Sequence, residues 1–484
     1  MALYPCPGTS LFCTLPGGGP VRGQLEINGL AFALSSSNFC QVFPNGTFTV
    51  IKGGLVPNDN LPVSMVASPQ QILIASAGSL YVYQLQSTPN SAGLTAGQFY
   101  QIPNTTFTVP GGGAPLPIQV EYIDGFFLVL LRNSQTIYIS TPLDATSWPP
   151  LQQITVSVFS DNVQGMIQNQ RQLYVFGRKR STTYYDSGSA NIFDVNPSGT
   201  VENGMVADFC FCRLDNSVFW LGQDERGDGV VWRYSGFTPT RVSNHAIEFA
   251  IQGYSKISDC VAYAYQDQGH SFAVFYFPTP NKTWVYDVAT NSWHERGYWN
   301  LGTASFSAHK SWNHMLAFGK HLVGDPTSGN IYQMAIPSVA IGGGYNFVTD
   351  NGNPIHRIRR SPHISVENKW MFHNELVLDI ETGLGPIPPL LDGAGNPRNP
   401  QVLLRWSNDY AHTWSNSYAL DAGAAGQFRH RVRRSKLGRA RDRVYEIQVS
   451  DPIPWRVIEG YLDAEGADSY KPTPRLAASY AKVT

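Results

Sequence analysis

The sequence predicts an all-β protein: a β-propeller of about six or more blades followed by a smaller C-terminal β domain. Three observations carry this. Charged residues are only 14% of the 484, while aromatics reach 12% and the 45 glycines and 33 prolines make up nearly one residue in six. That composition suits short strands joined by tight turns and does not suit helices. Next, an apolar strand, a polar turn and an aromatic-rich strand recur at a spacing of roughly 45–50 residues, the period of four-stranded propeller blades. Finally, no stretch combines helix caps with a sustained 3.6-residue period.

Residues 1–20 read as a leader or arm, 21–340 as the propeller and 341–484 as the second domain. The repeated phrase is clearest in Gln71 to Tyr83, Phe126 to Ser140, Gln172 to Tyr185, Val218 to Tyr234, Phe272 to Val288 and His314 to Met334. Its first strand is continuously apolar, as a strand covered on both faces must be, and its second strand alternates. In the fifth copy, Trp284-Val-Tyr-Asp followed by Thr290-Asn-Ser-Trp is close to a kelch-type phrase. A β-sandwich of similar hairpins is the competing architecture. The texture changes after Met334: Gly342-Gly-Gly marks a junction, Pro386-Ile-Pro-Pro and residues 392–400 are loop material, and strands follow near Trp370, Val402, Val432 and Tyr445.

A net charge of −1 supplies no global field to draw the chain onto nucleic acid or an anionic membrane. The longest apolar run, Phe126 to Leu131, is far below the ~20 residues of a membrane span, so no insertion is expected. The first residues lack the basic and apolar regions of a secretory signal, which leaves the sequons at Asn45, Asn104 and Asn281 idle. The six cysteines (Cys6, Cys13, Cys40, Cys210, Cys212, Cys260) show no metal spacing and read as buried thiols of a reducing cytoplasm.

Catalytic signatures are missing: there is no nucleophile elbow, phosphate loop or paired-histidine zinc motif. His309, His314 and His321 fit no ligand template. Asp224, Glu225 and Asp228 supply carboxylates for calcium or acid/base chemistry, but Gly227 and Gly229 around them favour a hairpin turn. Ser407-Asn-Asp-Tyr-Ala-His-Thr-Trp is nearly an Asp-box, the hairpin of sialidase-type propellers in which Asp caps backbone N–H groups and Trp packs beneath, with Ala411 in the Gly position. It argues for β structure and not for hydrolysis. No catalytic residue, metal site or cofactor is expected.

Charge concentrates in one place. Before Arg132 the only cationic side chains are Arg22 and Lys52, whereas Arg429 to Arg443 is densely basic. Alternation sets Arg429, Arg431 and Arg433 on one face of a strand and Arg439, Arg441 and Arg443 on one face of the next, with Ser435 to Gly438 as the turn and Arg434 and Lys436 adding charge. Like charges side by side cost stability, so this hairpin reads as a contact for carboxylates or phosphates, a solvated edge being the alternative.

Three phrases together resemble a known family: Phe176-Gly-Arg-Lys-Arg-Ser-Thr-Thr-Tyr-Tyr, Ser258 to Pro278 with its Thr283-Trp-Val-Tyr-Asp continuation, and Lys436-Leu-Gly-Arg-Ala-Arg-Asp-Arg-Val-Tyr-Glu. The resemblance is to the tail hub (nozzle) proteins of short-tailed bacteriophages, also called packaged-DNA stabilisation proteins, and spans roughly residues 40–460. It implies a propeller subunit, made in the host cytoplasm, that forms a homohexameric ring in the virion tail below the portal and its adaptor. The implied partners are those rings, tail fibres or needle, and double-stranded DNA in the lumen, with no small-molecule substrate. The ring would plug the channel after packaging and become the ejection conduit. The uncharged N-terminal third and the unmatched leader are departures from the family's pattern and leave the blade count and any gate loop open. A carbohydrate-binding or glycan-cleaving propeller, favoured by the aromatics and the Asp-box-like turn, is the alternative function.

Overall fold

The computed structural model describes residues 5–54, 56–109, 112–189, 192–224, 227–341, 343–466 and 481–483. The chain forms two compact units, one made of Leu11–Tyr298 and Phe306–Gln333, the other of Met1–Ser10, Trp299–Ser305 and Met334–Thr484.

The larger unit is a propeller with seven blades among the described residues. Four-stranded antiparallel meanders begin at Val21–Ile27, Ser64–Ala67, Pro117–Ile123, Val163–Asn169 and Val261–Asp267. The fifth blade, led by Phe211–Leu214, carries the extra short strand Gly204–Met205. The seventh runs Asn313–Ala317, Lys320–Gly324, Asn330–Ala335, and then takes its fourth strand from Gly8–Thr14. Each leading strand packs against the next, and Asn313–Ala317 packs back on Val21–Ile27, closing the circle.

This closure corrects the expectation of a leader over residues 1–20; residues 1–4 lie outside the described ones. The last blade would otherwise present an unpaired ladder, and Leu15 N donates to Gly329 O at 2.7 Å where the two segments meet.

The continuously apolar phrase is the second strand of a blade. Every residue of Gln71–Ser76 is buried, as are all but the first of Phe126–Leu131 and Gln172–Gly177, because neighbouring blades cover both faces. Each such Leu, Val or Phe contributes about 1.5–3 kcal/mol of burial. In six blades the turn into that strand places two consecutive residues at positive φ, among them Asn28-Gly29, Asp124-Gly125 and Gln268-Gly269. This backbone matches the twist of the flanking strands.

Among the described residues two elements depart from the all-strand expectation, a single 3-10 turn at Asn104–Thr106 and one α-helix. Helix His245–Gln252 follows the fifth blade, with the Asn244 side chain accepting from Ile247 N at 3.0 Å as an N-cap. Its Glu248, buried, is paired with Arg241. Eight residues are too few for a periodic signature to stand out in sequence.

The smaller unit holds a β-sandwich. One sheet orders Arg357–Arg360, Val444–Val449, Gln401–Ser407 and Tyr418–Asp421. The other places Met371–Ile380 between Val432–Ser435 and Val457–Gly466, with Ala481–Val483 beyond. Leu376, Leu378, Leu404, Tyr445, Ile447 and Leu462 fill the space between the sheets.

Candidate interaction surface

The basic segment is not a hairpin. Val432–Ser435 pairs antiparallel with Met371–Ile380 (Leu378 opposite Val432, Glu375 opposite Ser435), and Arg439–Ala440 pairs with the same strand (Phe372 opposite Arg439). Two residues of one strand (His373, Asn374) face three of the other (Lys436, Leu437, Gly438) between these registers, so the segment is a single edge strand with a β-bulge. At the bulge, Lys436 and Gly438 adopt φ of 59° and 77°, Lys436 N donates to Asn374 O at 2.9 Å, and His373 N donates to Gly438 O at 2.8 Å. Leu437 is thereby turned into the core, 3% exposed. Ser-Lys-Leu-Gly has turn residues, but burial of Leu437 holds the chain on its original partner.

The bulge changes which cations face out. Arg429, Arg431, Arg433, Arg434, Lys436, Arg439 and Arg441 are exposed. Arg443, expected on the same face as Arg439 and Arg441, is 1% exposed. The strand ends at Ala440 and the chain bends before Val444 enters the other sheet, so alternation does not carry through. Arg443 Nε donates to Asn408 Oδ1 at 2.8 Å and its Nη1 to Leu437 O at 2.7 Å, and its guanidinium lies over the Trp406 and Tyr445 rings. It ties the bulge to the core, and the contact set loses it. Burial, and secondarily the Arg443 charge, push the neighbouring His373 imidazole down to about 4.

The outward arginines are held by aromatic faces. Arg434 lies 4.3 Å from the Tyr418 ring centre, and Arg439 and Arg441 lie 4.8 and 4.9 Å from that of Trp370. Stacking orders the forks while leaving N–H groups available, which lowers the entropy lost on engaging a carboxylate or phosphate. Arg433 also reaches Glu375 at 3.4 Å.

A second basic cluster was not singled out in the sequence. Arg360 and Arg405 flank the buried Glu446 at 2.7 and 2.6 Å, and both lie over Trp414. Strand register brings the three together: Arg360 faces Glu446 on one side and Arg405 faces it on the other. Arg357-Ile-Arg-Arg was the available signal, but nothing local indicates that Glu446 lies between. Trp414 closes the Asp-box-like loop, where Asp409 Oδ1 accepts from Ser407 Oγ at 2.6 Å and Thr413 N at 2.8 Å. These bonds hold the Asp409 carboxyl down at about 2. The turn forms as expected, with Ala411 at φ 68° in the Gly position, but its Trp stacks with arginines.

The remaining candidates are structural. Asp224 Oδ1 accepts from Gly227 N at 2.9 Å in the hairpin turn, Gly229 takes φ 83°, and Glu225 lies outside the described residues. His314 Nε2 and His321 Nδ1 share a hydrogen bond at 3.0 Å, and His309 Nδ1 bonds to Ser311 Oγ at 2.7 Å. Burial first, and a neighbouring cation or imidazole second, push His309 and His314 down to about 3. Among the described residues no group of three His, Cys, Asp or Glu side chains is placed to hold a metal. No helix there is long and apolar enough to cross a membrane. Five cysteines are buried, Cys6 is half-buried, and none of the six forms a disulfide.

Fold and surface define a class: a propeller followed by a β-sandwich that presents an ordered arginine edge. Comparison with known families makes this specific. Residues 1–337 match the family model described as bacteriophage P22 Gp10, beta-propeller, and residues 356–465 match the one described as bacteriophage P22 Gp10, beta-sandwich. The chain belongs to this family of phage tail nozzle and DNA-stabilisation proteins and is a structural protein of the phage tail.

No curated protein matches the chain in sequence. Among solved structures, the extracellular domain of BT4673 from B. thetaiotaomicron is 11% identical with a TM-score of 0.44, covering 77% of this chain and 44% of that one. This chain thus spans less than half of that protein's length. The Neurospora crassa Pan2 WD40 domain is 8% identical with a TM-score of 0.42, covering 69% and 96%. PorZ of Porphyromonas gingivalis, a component of the type-IX secretion system, is 12% identical with a TM-score of 0.36, covering 75% and 44%.

Proposed function

We propose that the protein is the ring-forming hub of a phage tail: a homohexamer below the portal and adaptor that retains packaged DNA and serves as its ejection conduit, with fibres or needle attached to it. Synthesis in the host cytoplasm, absence of catalysis and absence of a small-molecule substrate belong to the same reading. Membership of the Gp10 family supports it.

The observation that carries the contact role is the arginine edge of the sandwich, whose forks are ordered by Trp370 and Tyr418 and face solvent. Guanidinium groups suit planar bidentate partners. A conduit must let DNA slide, and arginines that each neutralise a phosphate would hold the duplex with a steep salt dependence. A protein carboxylate surface is therefore the better partner for this edge.

Electron microscopy of the purified chain, alone and with the adaptor, tests the proposal. A closed ring with an axial lumen that docks to the adaptor is the expected result. A chain that stays monomeric in the presence of the adaptor refutes it.

A further inference from the structure

The fourth strand of each blade presents an outer edge of backbone N–H and C=O groups, which folded proteins protect with charge, proline, shortness or cover. Phe193–Val195 carries Asp194, Thr238–Arg241 carries Pro239 and Arg241, Ser292–Glu295 carries Glu295, and Gln153–Thr155 is three residues long. Phe99–Ile102 keeps both its aromatics half-buried, and Gly8–Thr14 is paired on its far side, Thr9 opposite Asp350. Phe48–Lys52 of the first blade has none of these devices: it reads Phe-Thr-Val-Ile-Lys, with no charge before its last residue. Phe48, Thr49 and Val50 are exposed, the two hydrophobics at 36% and 42%. Among the described residues this strand is paired on one side only, with Asn38–Val42.

The register fixes which backbone groups are left over. Phe43 N donates to Thr47 O at 2.9 Å, so alternation gives the inward hydrogen bonds to Phe43–Thr47 and then to Gln41–Thr49. Phe48, opposite Val42, and Val50, opposite Cys40, therefore turn their N–H and C=O groups outward. Ile51 has no partner between the Cys40–Val50 and Phe39–Lys52 pairs, and this bulge ends the open edge. Leu11, on the adjoining outer strand of the last blade, is 49% exposed and extends the apolar surface, Phe12 O lying 2.5 Å from where a Cβ on Gly46 would sit.

We propose that residues 47–50 receive an extended, uncharged segment of another tail protein as a fifth strand of the first blade. A row of outward N–H and C=O groups is matched by another strand, and Phe48 and Val50, two apart and so on one face, offer apolar contact to alternate residues of that segment. Before Arg132 the only cations are Arg22, which is buried, and Lys52, so the surface holds no field for DNA or an acidic peptide. Two such edges pairing with each other would make a two-fold contact, which a cyclic ring lacks. The proposal rests on the tail-hub reading above and names a surface that joins the hub to a neighbour.

Residue-resolved hydrogen exchange tests it, comparing the purified chain with assembled phage tails that contain it. The amides of Phe48 and Val50 should exchange freely in the chain alone and at least about a hundredfold more slowly in the tail, while Thr49, already bonded inward, is slow in both. Val50→Pro deletes one outward N–H and leaves the inner ladder intact, as proline does on an edge, whereas Val50→Ala keeps the N–H and trims the side chain. With both shown to be folded by melting curves, Val50→Pro should lower the yield of tails by at least about tenfold and Val50→Ala by much less.

Equal exchange at Phe48 and Val50 in chain and tail overturns the proposal. Equal losses for the two variants assign the contact to side-chain packing and overturn it too. Protection that appears in the concentrated chain alone assigns the edge to a second copy, with the same consequence. A chain that forms no ring with the adaptor, yet shows the alternating protection in the tail, refutes the ring and supports the strand contact. Should Val50→Pro unfold the blade, Phe48→Lys with Val50→Lys guards the edge by charge instead, and normal tail yield from that folded variant overturns the proposal.

Discussion

Replacing Arg443 with Met separates a core strut from a contact residue. The side chain is 1% exposed, and the substitution keeps an unbranched stem while deleting the guanidinium. Two short hydrogen bonds are lost, to Asn408 Oδ1 at 2.8 Å and Leu437 O at 2.7 Å, together with stacking on Trp406 and Tyr445. Bonds from a charged donor are worth about 1.5–3 kcal/mol each. The lost desolvation cost of the cation offsets part of this, so a net loss of about 3 kcal/mol is expected. At about 4 °C per kcal/mol for a unit of this size, the sandwich transition should fall by about 10 °C in scanning calorimetry of the full chain. Arg441→Ala is the control: its side chain is exposed, and its loss should change stability by no more than about 0.5 kcal/mol. Hydrogen exchange at the amides of Lys436 and Leu437, both donors to the Met371–Ile380 strand, reports whether the bulge is what loosens. If Arg443→Met melts within a degree or two of the wild type, or if Arg441→Ala is the more damaging change, the assignment of Arg443 to the core is wrong.

Three further outcomes follow from buried and half-buried groups. His294, His309 and His314 are held neutral, each pushed down to about 3, so the unfolded chain binds protons that the folded one does not as pH falls below the ordinary histidine range. Their contribution is complete above about pH 6.5 and is lost toward pH 3, at about 1.4 kcal/mol per pH unit for each histidine; denaturant midpoints across that window check it, and a midpoint independent of pH refutes it. Arg22, fully buried, donates to Leu61 O and Pro57 O at 2.7 Å and pairs with Asp59, so Arg22→Lys should destabilise the propeller by about 2–3 kcal/mol and expose residues 53–62 to limited proteolysis. Glu446→Gln leaves Arg360 and Arg405 facing each other without a counter-charge, and calorimetry should register a loss of about 2–3 kcal/mol, with an unchanged transition counting against the triad.

Much of this was legible in the residues. The period of the apolar-then-aromatic phrase, the abundance of glycine and proline and the shortage of charge specify short strands through interactions a few residues long, and they gave the propeller and the β-domain after it. The three quoted phrases carried the family. The concentration of arginine after Gln427 was equally plain, and seven of its eight cations face out. Local sequence could not state which strand each segment would pair with. Alternation is identical in a hairpin and in a bulged edge strand, and the burial of Leu437 against residues of another sheet chose between them. Arg443 became a core residue by the same choice. Gly8–Thr14 reads as a weak strand by itself, and it completes the last blade because Asn330–Ala335, more than 300 residues later, offers an unpaired ladder. Glu446 acquires its two arginines from positions 86 and 41 residues before it, on two different strands. Composition and period act along the chain and fix what kind of element forms. Pairing partner, bulge position and counter-charge are set across the chain, by burial and hydrogen bonding between segments that meet only when the tertiary structure is complete.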